Sequence, residues 1–128
     1  MIAISEDYVS FETAKLLKEK GFNEECWCYY HNSKIEHYFK KVTNKGWTTS
    51  GNISAPTLQM AMRWLREVHD ILLFILPAQE NGKLVYLVEV WTWNEEEGVY
   101  KSTYAPMPRK EPEQACEAAI KYCLENLI

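Results

Sequence analysis

Residues 71–93 read ILLFILPAQENGKLVYLVEVWTW, and this stretch decides the fold. Residues 71–76 form an apolar run bounded by a proline, which predicts a strand buried on both faces and ending near Pro77. Asn81-Gly82 suits a two-residue hairpin turn, because both central residues of such a turn need positive φ. Residues 84–93 then make a long strand. Its parity puts Val85, Leu87, Glu89, Trp91 and Trp93 on one side and Tyr86, Val88 and Val90 on the other. After an acidic turn at Asn94 to Gly98, residues 99–104 return as a further strand.

The same reading extends outward in both directions. Upstream, Leu58, Ala61, Met62, Trp64, Leu65 and Val68 recur at helical spacing as far as His69, with Arg63, Arg66 and Glu67 on the other side. Ser54 or Thr57 can cap this helix, with Pro56 in its first turn. Before it, residues 42–56 hold two Gly, two Asn, three Thr and two Ser, and read as a long polar loop. Residues 26–31 and 34–39 alternate around Asn32-Ser33 as a first hairpin. Ser10 caps a helix over 11–20, stopped by Gly21. Downstream, Pro106, Pro108 and Pro112 mark an extended connection into a last helix over 111–126, with Ala115, Ala118, Ala119, Tyr122 and Leu127 in its stripe and Cys116, Ile120, Cys123 and Leu124 beside it.

The expected architecture is a single α+β domain over residues 1–128. It has an antiparallel sheet of about five strands, three helices mainly on one face, and the order αββαβββα. Leu16-Leu17-Lys18-Glu19 and Trp64-Leu65-Arg66-Glu67 stand at matching places before a strand pair, which hints at a duplicated αββ unit.

Composition narrows the function. The chain has 128 residues, 14 basic and 18 acidic, for a net charge of -4. A general nucleic-acid binder carries a basic balance, so nucleic acid is disfavoured as a partner. No apolar run approaches the roughly 20 residues of a membrane span, and the N-terminus lacks a basic region followed by a long apolar stretch. The expectations are therefore no membrane, a cytoplasmic location and reduced thiols.

The chemistry-bearing residues form no recognisable constellation. Cys26 and Cys28 share one face of a strand, and Cys116 and Cys123 one face of a helix. The helix pair lies about 10.5 Å apart along the axis, too far for both sulfurs to reach one zinc ion at about 2.3 Å each. Core packing is the expected role of all four. Cys28 with His31 or His37 would be the nucleophilic pair of a small enzyme, but no third orienting group is evident. His69 suits the end of a helix. Glu95-Glu96-Glu97 lacks the ligand spacing of a calcium loop and reads as a solvated tip. No phosphate loop, zincin or hydrolase motif occurs. No cofactor is expected.

Residues 53–69 (ISAPTLQMAMRWLREVH), 113–126 (EQACEAAIKYCLEN) and 8–22 (YVSFETAKLLKEKGF) resemble a recurring family of small proteins of gut-bacterial phages and integrated mobile elements. The resemblance covers the three helices, somewhat under half the chain. It implies a mobile-element origin and carries over no catalytic residues.

The residues point to a non-enzymatic macromolecule-binding module, with an unidentified host or phage protein as partner. The candidate surface is Lys45 and Trp47 in the polar loop, with Trp91 and Trp93 on the long strand. A homodimer through a sheet edge or face is compatible with it. Two alternatives stay open. One is a small enzyme using a cysteine or histidine. The other is a weak single-stranded nucleic-acid binder that stacks bases on Trp91, Trp93, Tyr100 and Tyr104, with Lys34, Lys40, Lys41 and Lys45 near phosphates.

Overall fold

A computed structural model describes residues 6–47, 51–105 and 107–128. Its elements are α1 (Phe11–Glu19), β1 (Cys26–His31), β2 (Lys34–Val42), a 3-10 turn (Asn44–Gly46), β3 (Ile53–Ser54), α2 (Leu58–His69), β4 (Leu72–Glu80), β5 (Lys83–Asn94), β6 (Val99–Tyr104) and α3 (Pro112–Asn126). The class is α+β, with three helices and two three-stranded antiparallel sheets. The single five-stranded sheet expected from sequence is therefore corrected to six strands in two sheets among the described residues. The chain divides into two compact units, residues 1–61 and 62–128, with α2 running across the division.

In the first unit the sheet order is β2-β1-β3. The sixth strand, β3, is two residues long and lies inside the stretch read as a loop, too short to leave an alternation signal. It pairs Ser54 with Tyr29 and Ile53 with Tyr30. Ser10 caps α1 as expected, its hydroxyl accepting the Thr13 N–H at 3.2 Å. Thr13, Ala14 and Leu17 bury one face of α1. Phe11 packs edge-on to Tyr30 at 5.5 Å between ring centroids, on the β1 face where Cys26, Cys28 and Tyr30 are buried. The Tyr30 hydroxyl donates to the Val9 carbonyl at 2.6 Å.

The polar stretch 42–56 is pinned by Asn44. Its side-chain amide donates to the Phe22 carbonyl and accepts the Ser54 N–H, both at 2.8 Å. Asn23 reciprocates by accepting the Lys45 N–H at 2.8 Å. Residues 48–50 of this stretch lie outside the described residues. Thr57, not Ser54, caps α2, accepting the Met60 N–H at 3.1 Å. Pro56 precedes the helix instead of entering its first turn, because its carbonyl is used by the Val9 N–H at 3.0 Å.

In the second unit the order is β4-β5-β6. Asn81 (φ 52°) and Gly82 (φ 75°) make the tight turn between β4 and β5. The β4 strand does not stop at Pro77 but continues to Glu80. Pro77 stands opposite Tyr86, and both backbone groups of Tyr86 are bonded to Arg109 on the other side. The Pro77–Tyr86 position is thus one where the edge strand donates no ladder bond, and proline costs nothing there. Nor is β4 buried on both faces: Phe74 and Ile75 are exposed.

Helix α3 packs on β5 and β4, burying Ala115, Cys116, Ala119, Ile120, Cys123 and Leu124. Val88, Val90 and Ala105, which share one side of the sheet by register, are buried with it. Of the α2 positions assigned to a buried stripe, Leu58, Ala61, Trp64 and Leu65 are buried, whereas Val68 is exposed. In chain order α1 and α2 each precede a strand pair, the order a duplicated αββ unit would have. The third strand attaches differently, however: β3 joins the first strand of its pair, and β6 joins the second.

Candidate functional site

The register of the second sheet makes its two sides chemically unequal. Leu72, Phe74 and Leu76 on β4, Leu87, Glu89, Trp91 and Trp93 on β5, and Tyr100, Ser102 and Tyr104 on β6 point away from the Val88–Val90 side. Among them Phe74 keeps 48% of its surface exposed, Trp93 47%, Tyr100 42% and Tyr104 60%. Val85, nearer the hairpin on the same side, is buried. An exposed row of aromatics on a sheet is an unusual use of apolar surface and makes this side the candidate site.

The face is held in shape by polar contacts. The Trp91 indole N–H donates to the Glu89 carboxylate, which shares its side of β5. The Tyr100 hydroxyl donates to both Asp70 oxygens, at 2.8 and 2.9 Å. That bond to Asp70 raises the Tyr100 phenol above its ordinary value, so the hydroxyl stays a donor. Trp93 and Tyr100 meet edge-to-face at 5.1 Å. Arg66, Asp70, Leu72, Phe74, Trp91 and Tyr100 line an open groove of about 480 Å³ on this face. That size falls within the range that accepts a drug-sized ligand or one or two side chains of a partner.

Of the four residues expected at the partner surface, Trp91 and Trp93 lie together on this sheet face, whereas Lys45 and Trp47 belong to the first unit. Trp93 is exposed; Trp91 is half-buried, with its N–H engaged. Trp47 packs tilted against Tyr29 at 4.8 Å and edge-on to Tyr38 at 5.2 Å, and its indole N–H donates to Ser54 at 3.0 Å. It therefore anchors its own segment. Lys45 is exposed on the 3-10 turn. Phe74 was missed because residues 71–76 carry no alternation. Tyr100 and Tyr104 could be placed on the face only once the β5–β6 register was known.

The cysteines are free and buried, one pair in each unit. Burial pushes the thiols of Cys26 and Cys123 up to about 12 and that of Cys116 up to about 11. These three are protonated at neutral pH and are poor nucleophiles. Cys28 stands opposite His37 across the hairpin, and the Tyr8 hydroxyl, hydrogen-bonded to Cys28, is pushed up to about 12. The ring of His37 faces Trp27 at 6.0 Å. His31 bonds through Nδ1 to Asn52 Oδ1 at 2.8 Å. His69 packs on Trp64 at 4.7 Å. Among the described residues no three His, Cys, Asp or Glu side chains are grouped to hold a metal ion, and no helix is long and apolar enough to cross a membrane.

Comparison with known proteins found no matching family model, no matching curated protein and no matching solved structure.

Proposed function

We propose that the protein is a non-enzymatic protein-binding module, an accessory protein of the phage or mobile-element kind that its three helices resemble. The partner docks on the aromatic face of β4-β5-β6. The observation that carries this reading is the asymmetry of that sheet. One side is closed over Val88 and Val90 by a helix, while the other leaves Phe74, Trp93, Tyr100 and Tyr104 open to water. Aromatic side chains are the usual anchors of protein interfaces, because each covers a large area with few rotatable bonds. The groove beside Phe74 and Trp91 gives a partner's apolar side chain a place to insert.

The experiment is affinity purification of the tagged protein from its native host during phage or element induction. The wild type is compared with Phe74→Ser and Trp93→Ala, each checked for a native circular dichroism spectrum. Stoichiometric recovery of one partner by the wild type, lost in both variants, supports the reading. Recovery that survives both substitutions, or turnover of a small molecule by the purified protein with no partner recovered, refutes it.

A further inference from the structure

The first unit carries a second surface of different chemistry. Between Cys28↔His37 and Cys26↔Val42 the β1–β2 register slips, so that Trp27 alone on β1 stands opposite the four residues 38–41 of β2. The slack strand bulges, and bulges re-aim side chains that regular pairing would hold on the sheet. Here Phe39 is 77% exposed and Trp27 46% exposed. Each of these rings is accompanied by a cation: Lys40 Nζ lies 5.7 Å from the Phe39 ring centroid and Lys41 Nζ 5.8 Å from that of Trp27. The bulge is braced from behind, since Tyr38 packs on Phe39 at 4.4 Å and on Trp47 at 5.2 Å.

Over residues 24–47 the charges are four lysines against Glu24, Glu25 and Glu36, a local +1 within a chain of net -4, with Glu25 beside Trp27 and Lys41 and the lysines concentrated over 34–45. Lys34, Lys40, Lys41 and Lys45 thus make a locally positive stretch within a chain that is negative overall.

We infer that this hairpin binds a short single-stranded nucleic acid, with bases stacking on Phe39 and Trp27 and phosphates meeting Lys40, Lys41 and Lys45. Interleaved aromatic rings and lysines are what a strand of alternating π-faces and anionic phosphates requires. Lysine is depleted from the core of protein interfaces, which sets this surface apart from the aromatic face of the second unit. The strand must be single, because a duplex hides its base faces from the rings. It must be short, because the basic surface extends over one hairpin only.

The probe is a fluorescein-labelled twelve-nucleotide oligothymidylate, titrated with the full-length protein by fluorescence anisotropy between about 50 and 200 mM salt. The expected result is binding whose affinity falls with salt at a log–log slope of about -2 to -3, from three or four phosphates at about 0.7 each. Phe39→Ala should weaken binding about fivefold or more with the slope unchanged. Lys40→Ala/Lys41→Ala should weaken binding and reduce the slope by about 1.4. All three side chains are exposed, and each variant's circular dichroism spectrum and melting temperature verify that it stays folded. Three results overturn the inference: no binding at the lowest salt, equal binding of a duplex of the same length, or an unchanged affinity in Phe39→Ala. Binding of phosphatidylserine vesicles in place of the oligonucleotide would assign the hairpin to a membrane surface and likewise overturn it.

Discussion

Asn44 joins three pieces of the first unit through one buried side chain, and its removal is a demanding test of that unit's architecture. The Asn44→Ala substitution leaves the Phe22 carbonyl and the Ser54 N–H without the partners seen at 2.8 Å. Phe22 is 1% exposed and Ser54 fully buried, so water reaches neither group without local opening. The orphaned Ser54 N–H costs about 1–3 kcal/mol and the lost bond to the Phe22 carbonyl about 0.5–1.5 kcal/mol more, so about 1.5–4.5 kcal/mol together. That is a large share of the roughly 5–15 kcal/mol that stabilises a domain of this size. With a urea slope of about 1–3 kcal/mol per molar, the midpoint of unfolding should fall by at least about 0.5 M. Asn44→Asp keeps an acceptor for Ser54 but turns a second oxygen toward the Phe22 carbonyl, so it should be no better than alanine. Asn23→Ala, at a partly exposed bond to Lys45, should cost less than about 1 kcal/mol. The assay is urea unfolding followed by far-ultraviolet circular dichroism. A cost below about 1 kcal/mol for Asn44→Ala, with an unchanged slope, would refute the keystone role.

Other outcomes follow from the same physics. Cys26, Cys116 and Cys123 hold their protons more tightly folded than unfolded; the stability this gives is full below about pH 9, the ordinary thiol value, and is lost as pH rises toward 11–12. Each such thiol should steepen the alkaline loss of stability by about 1.4 kcal/mol per pH unit, measurable by urea titrations between pH 8 and 10.5. A flat profile would contradict the buried placement. At neutral pH a thiol reagent should label these three only as fast as the protein opens. Gly82→Ala puts a Cβ on a residue at φ 75° with nothing within 4 Å of it, so only backbone strain of about 1–2 kcal/mol is expected, read as a drop of several degrees in melting temperature. Val90→Ala, at a fully buried site on the helix-covered side, should cost about 2 kcal/mol; a cost near zero would invert the assignment of the two sheet faces.

Much of the local structure was legible. The Asn81-Gly82 turn, the β1–β2 hairpin, the Ser10 cap and all three helices follow from rules acting over a few residues. So does the two-sided parity of β5 that sets Trp91 and Trp93 apart from Val88 and Val90. Pairings between distant segments were not legible. β3 depends on Asn44 reaching ten residues along the chain to Ser54, and no alternation announces a strand of two residues. The division into two sheets was hidden because each hairpin fixes its own register locally, leaving nothing to show which hairpins share a ladder. Pro77 misled because a proline stops a strand only where its missing N–H is needed. The 38–41 bulge was invisible for a similar reason: alternation in residues 34–39 promised a regular strand, and the slip opposite Trp27 arises from the pairing of Val42 with Cys26. Of the site, Trp93 was within reach from parity alone, while Trp47 looked available until its indole was seen bonded to Ser54.

The most direct test of the binding reading is site-specific photocrosslinking in the induced host. A benzoylphenylalanine replaces Phe74 or Tyr104 on the aromatic face, or Glu113 on the exposed side of α3. The account predicts one and the same partner captured from positions 74 and 104 and none from position 113. Capture from position 113 alone, or no capture from either aromatic position, would contradict it.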